Sequence, residues 1–197
     1  MSVLVKVCGL REKQHVADAI EAGAGAVGFV FAESPRKITP GVARSISDIV
    51  PRHVKRVAVM LHPAKDDWLA VLEQFEPDVL QTDAEDLDAL DIPAHVECWP
   101  VFREGKTAPD TIATYVYEGP KSGQGETVDW SAAAELACRG QMVLAGGLGP
   151  DNVAAAIRTV RPFGVDASSA LESSPGQKDS RLIREFISAA CAAETVL

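Results

Sequence analysis

A chain of 197 residues, 47% hydrophobic and with a net charge of −9, is sized for one globular domain with a sizeable core. Its acidity argues against nucleic acid or an anionic membrane as a partner, yet allows a locally positive site for a phosphate. No apolar run approaches the roughly 18 residues of a membrane span, and the opening MSVLVKVCGLREKQ lacks the layout of a cleavable signal, so a cytoplasmic location is expected.

From there strand-like and helix-like segments alternate. Val3 to Cys8 has period two, which places Leu4, Lys6 and Cys8 on one face with Cys8 at the carboxyl end. At roughly 3.3 Å per residue Lys6 sits about 7 Å below Cys8, where its charge favours the thiolate and makes Cys8 a candidate base or nucleophile. A helix over Glu12 to Ala22 leads to a second strand, Ala26 to Phe31, and then to the loop AESPRKITP. Pro35 restricts the segment that carries Arg36, whose guanidinium suits bidentate binding of a carboxylate. Thr39 is the expected N-cap of a helix over Pro40 to Ile49. Strands three and four, Lys55 to Met60 and Pro77 to Thr82, flank a helix over Lys65 to Phe75. Strands five and six, Val96 to Phe102 and Ala113 to Glu118, are separated by GKTAPDTI, where Pro109 leaves room for about one turn.

The Gly-rich loop from Glu118 to Asp129 follows, and its Gly119, Gly123 and Gly125 point to a lid. A helix over Trp130 to Cys138, capped by Asp129, precedes the seventh strand, Met142 to Gly146. In LAGGLGPDNV that strand stops at small residues and a helix starts at Pro150, running to Val160 with its N-terminus toward the same place. The eighth strand, Phe163 to Ala167, enters GVDASSALESSPG, and a helix over Lys178 to Ala192 closes the chain. Two adjacent strand ends of this kind let backbone N–H groups approach an anion, and together they describe a phosphate clamp.

Eight βα units imply an α/β protein with a single domain over 1–197, a (βα)8 TIM barrel of near-minimal size. The rival architecture, an open doubly wound sheet, lacks its Gly-x-Gly-x-x-Gly turn after the first strand. Closure sets the eighth strand beside the first, so that Asp166 can pair with Lys6. Cys8, Cys98, Cys138 and Cys191 show neither a CxxC pair nor metal-ligand spacing with the histidines. Neither a zinc site nor a disulfide framework is therefore expected, and all but Cys8 are read as small apolar residues. The charged outer helices favour a monomer over a homodimer.

KVCGL, GFVFAESPRKITP, VAVM, LQTDAED, ETVDW, LAGGLGPDNVAAAI and GVDASSALESSPGQKD occur in the order and spacing of the phosphoribosylanthranilate isomerases. The chain resembles that family nearly end to end, least over Cys98 to Ala113. The resemblance implies a (βα)8 barrel of tryptophan biosynthesis that takes a small phosphoribosyl molecule. It would convert N-(5-phosphoribosyl)anthranilate to 1-(2-carboxyphenylamino)-1-deoxyribulose 5-phosphate by an Amadori rearrangement, without metal or organic cofactor. By the same resemblance Cys8 is the general base and Arg36 holds the anthranilate. Phosphate falls to the backbone around Gly146 and Gly147 and to Asp166, Ala167, Ser168 and Ser169, with Lys6 completing the substrate-binding set.

Two positions depart from the family pattern. Glu118 stands where the family carries its acidic aspartate; one methylene longer, it must come within about 3 Å of the sugar ring oxygen. Asp83 stands where the family's QLHG run has histidine, and is the second candidate acid, with Asp129 a third. The altered loop leaves two alternatives: an isomerase for another phosphoribosyl amine, or a catalytically silent phosphosugar-binding barrel.

Overall fold

In the computed structural model, which describes residues 3–106, 112–120 and 127–194, eight parallel strands pair in chain order and the last closes on the first. They are β1 (Leu4–Cys8), β2 (Ala26–Val30), β3 (Lys55–Val59), β4 (Val79–Asp83), β5 (Glu97–Arg103), β6 (Ile112–Glu118), β7 (Gly140–Leu144) and β8 (Gly164–Ala167). Closure sets Lys6 opposite Asp166 and Val7 opposite Ala167. Alternation then sorts the side chains. Ala26, Val57, Val79, Trp99, Val101, Val116, Val143 and Ala145 fill the barrel interior. Val5, Val7, Phe29, Ala58, Leu80, Tyr115, Leu144 and Val165 point outward and pack beneath the helices.

The helices are α1 (Lys13–Ala22), α2 (Pro40–Ile46), α3 (Lys65–Phe75), α4 (Trp130–Ala137), α5 (Val153–Val160) and α6 (Ser180–Glu194). Their ends follow local chemistry. Thr39 caps α2 by accepting from the Val42 N–H, and Asp129 caps α4 by accepting from Ser131 and Ala132. Gly23 ends α1 at φ 105°, where a left-handed residue lets its N–H reach back to Ala19 and Ile20.

Several expected boundaries shift. The second helix stops at Ile46, and a 3-10 helix over Ala84–Ala89 joins β4 to β5. The helix expected from Pro150 begins at Val153. Before it, the Asn152 side chain holds a turn, accepting from the Gly149 N–H at 2.9 Å and donating to the Gly147 carbonyl at 2.8 Å. Lys178 does not open the closing helix. It lies in a hairpin of β9 (Glu172–Ser174) and β10 (Gln177–Lys178), and α6 starts at Ser180 behind the Asp179 carboxylate, which accepts from the N–H groups of Arg181 and Leu182. Cys98, Cys138 and Cys191, read as packing residues, are exposed. The expected turn at Pro109 and the central part of the expected lid, residues 121–126, lie outside the described residues. Among the described residues no helix is long and apolar enough to cross a membrane.

Candidate active site

At the carboxyl ends of the strands a cavity of about 280 Å³ brings together Cys8, Arg36, Gln81, Glu118, Gly146, Gly147, Asp166, Ala167, Ser168 and Ser169. Its floor on the β1–β8 side is the pair anticipated from closure: Lys6 Nζ lies 2.8 Å from Asp166 Oδ2, with Lys6 fully buried. Burial pulls the Lys6 ammonium down, but the charges and hydrogen bonds of Asp166 and Cys8 together outweigh it and hold Lys6 above its ordinary value. Asp166 Oδ1 has no partner among the described residues. Gly28 on β2 makes the room these side chains need, since a Cβ there would stand 3.0 Å from Cys8 Sγ and 3.2 Å from Lys6 Cε.

The thiolate of Cys8 is not favoured in the way Lys6 suggested. Burial raises the thiol, the attraction of Lys6 offsets only part of that, and Asp166 works against Lys6, so the net shift is upward. Lys6 still acts on the sulfur through its charge and a hydrogen bond, but burial and the opposing charge of Asp166 prevail.

The two departures from the family pattern separate here. Glu118 lines the same cavity as Cys8, while Asp83 does not. The Asp83 carboxylate is engaged by Arg103 at 2.5 Å and has His62 Nε2 at 3.6 Å. Asp129 is occupied as the α4 cap. Arg103 also lies 3.1 Å from Glu118, and it escaped sequence reasoning because it falls in the stretch that resembles the family least.

On the β7–β8 side the loops are shaped for close backbone approach. Gly146 and Gly147 adopt φ of 92° and 60°, in the left-handed region that glycine enters without strain. Their N–H groups find no acceptor among the described residues. Gly149 lets this loop press on the next one, because a Cβ there would stand 3.0 Å from Ala170 Cβ. Ser168 donates to the Cys8 carbonyl at 3.1 Å, which ties the eighth strand's loop to the candidate base. Ser169 opens a 3-10 turn, Ser169–Leu171.

Arg36 reaches the cavity but is not idle. Its Nε and Nη2 donate to the two oxygens of Glu172 at 2.7 and 3.0 Å, and its Nη1 has no acceptor among the described residues. Glu172 also accepts from Lys178 Nζ at 2.7 Å and from the Gly176 N–H at 3.1 Å. Burial would raise this carboxyl, but Arg36 and Lys178 hold it below its ordinary value. Lys178 donates in addition to the Ser168 carbonyl at 2.9 Å, so one buried cluster fixes both the arginine and the loop after β8. Neither Glu172 nor Lys178 emerged from the sequence; the Pro-Gly step at Pro175 and Gly176 was the turn signal that marked the hairpin.

Known proteins resemble the chain in both sequence and fold. The family model for N-(5'phosphoribosyl)anthranilate (PRA) isomerase matches residues 5–189. A relative from Trichlorobacter lovleyi named N-(5'-phosphoribosyl)anthranilate isomerase is 38% identical, over 94% of this chain and 96% of that one. Among solved structures, TrpF from Jonesia denitrificans aligns with a TM-score of 0.81 at 32% identity over 98% of each chain. A phosphoribosyl anthranilate isomerase in complex with reduced 1-(o-carboxyphenylamino)-1-deoxyribulose 5-phosphate aligns with a TM-score of 0.76 at 30% identity, over 95% of this chain and 98% of the other.

Proposed function

The chain belongs to the N-(5'-phosphoribosyl)anthranilate isomerase family, aldose-ketose isomerases of tryptophan biosynthesis, and from that premise we propose how its own residues carry the rearrangement. The substrate phosphate sits against the backbone of Gly146, Gly147, Ala167, Ser168 and Ser169, where left-handed glycines and small side chains permit close approach. The anthranilate carboxylate takes the remaining edge of Arg36, at Nη1. Glu118 protonates the furanose ring oxygen as its bond to C1′ breaks, leaving an iminium. Cys8 as thiolate removes the C2′ proton, and the resulting enolamine tautomerises to the ketone. Asp166 acts mainly through Lys6, since its Oδ2 is committed there.

The observation that carries this reading is that Cys8 and Glu118 line one cavity with the glycine-lined loop and Arg36. Of the three candidate acids, Glu118 alone among them lines that cavity. The enzyme acts on this small molecule as a monomer in the cytoplasm. The exposed large apolar side chains among the described residues, Val42, Ile49, Leu61, Leu69 and Phe163, remain more than half covered, which supports that state.

The test is turnover of freshly generated phosphoribosylanthranilate, followed by loss of its anthranilate fluorescence. Glu118→Gln is expected to lower kcat about 100-fold or more. If it turns over normally while Asp83→Asn abolishes activity, the acid role passes to Asp83. A well-folded wild type that leaves the fluorescence unchanged moves the reading to another phosphoribosyl amine or to a binding barrel. A second expectation concerns Glu172→Gln. With the charged anchor gone, Arg36 loses its fixed direction and KM rises about tenfold, as the loss of a charge-assisted contact predicts, while kcat stays within about threefold. An unchanged KM would show that Arg36 needs no anchor.

A further inference from the structure

Three charged side chains end three consecutive strands inside the barrel: Asp83 on β4, Arg103 on β5 and Glu118 on β6. Alternation puts all three on the inner face, because Val79, Val101 and Val116 on the same strands belong to the interior cluster. Arg103 Nη1 lies 2.5 Å from Asp83 Oδ2, and its Nη2 lies 3.1 Å from Glu118 Oε1. Arg103 and Asp83 are both largely buried, so water screens their charges less than it would at the surface. The two departures from the family pattern, Asp83 and Glu118, therefore meet at one guanidinium.

That meeting has a chemical consequence. An unopposed cation within about 4–6 Å of a carboxyl favours the ionised form by 1–3 pH units, which disables a group that must donate a proton. Asp83, hydrogen-bonded to Arg103 at 2.5 Å, sets a negative charge against the positive one of the guanidinium. Glu118 lies at ion-pair distance from a guanidinium whose positive charge Asp83 opposes.

We propose that Arg103 and Asp83 are a positioning pair for Glu118: Arg103 aims the carboxyl into the cavity, and Asp83 neutralises the guanidinium so that Glu118 can hold the proton it delivers. This rests on Glu118 as the acid. Among the described residues, the other charged groups near the trio include Cys8, Asp166 with Lys6, and Arg36 with Glu172 across the cavity, Glu33 with Lys37 at the rim, His62 with Asp86 behind Asp83, Glu85 and Lys106 beside Asp83 and Arg103, and Glu104, whose N–H donates to the Glu118 carbonyl.

The experiment titrates Glu118 directly, by carbon NMR of protein labelled at glutamate carboxyls, its resonance assigned by disappearance in Glu118→Gln. In Asp83→Asn the midpoint of Glu118 falls by about one pH unit; in Arg103→Met it rises by about as much. Arg103→Met also lowers kcat about tenfold with KM within about threefold, and Arg103→Lys recovers part of the loss. Midpoints unmoved in both variants, or an Arg103→Met enzyme with normal kcat, would overturn the pairing. Should Arg103→Met fail to fold, the near-isosteric Asp83→Asn decides alone. Normal turnover by Glu118→Gln is a different failure, that of the acid assignment itself.

Discussion

Cys8→Ala is expected to lower kcat about 1,000-fold or more, within the range that general-base catalysis supplies, while the fold survives. The side chain is small, so the space it leaves costs on the order of 1 kcal/mol, a few degrees in Tm for a chain of this size. The thiol itself is unusual. Burial raises it above its ordinary 9.0, and Lys6, bound to Asp166, only partly compensates. Because burial disfavours the anion, the ultraviolet thiolate signal of wild type minus Cys8→Ala should titrate above that value; a midpoint below it would mean that Lys6 dominates after all. A raised thiol is less often ionised but a stronger base once it is, which suits removal of a proton from carbon. Turnover that survives Cys8→Ala would require another base altogether.

The second large effect is on the barrel floor. Asp166→Ala strands a fully buried ammonium, and breaking a buried pair in this way costs about 3–5 kcal/mol, or on the order of 10 °C in Tm. Turnover should fall with it, since the Lys6 side chain packs with Cys8 against Gly28. The double variant Lys6→Met with Asp166→Leu separates the two roles. Replacing both charges by apolar groups of similar volume leaves stability near wild type, yet the site has lost its floor and stays inactive. If Asp166→Ala melts and turns over like wild type, the pair is irrelevant to both. If the double variant is active, the pair serves the fold and not the reaction.

Most of what positions this site was readable along the chain. The period of two on the first strand assigned Lys6 and Cys8 to one face, and barrel closure then brought Asp166 to Lys6 across 160 positions. That inference worked because closure leaves the eighth strand one neighbour to meet and alternation leaves each residue one face. The glycine-rich loop after the seventh strand and the caps at Thr39 and Asp129 were equally local, set by backbone conformation and by the nearest N–H groups.

What local pattern could not supply is which charges find each other when no ladder dictates it. Arg36 meets Glu172 across 136 positions, through a hairpin whose tip at Gly176 fits against Pro35 because glycine has no Cβ to strike its carbonyl. Arg103 meets both Asp83 and Glu118, and the pull of Lys6 on Cys8 is outweighed by burial and by the opposing charge of Asp166. Sequence by itself determined the barrel, the strand ends to within two residues and several of the residues that face the cavity, because strand period, turn chemistry and closure are short-range or topological constraints. Tertiary structure alone decided which carboxyl shares the cavity with the thiol and how each buried charge is compensated. Those outcomes depend on distances of a few ångströms between side chains far apart in the chain, in an interior where Coulomb interactions are strong and each cation has only so many hydrogen bonds to give.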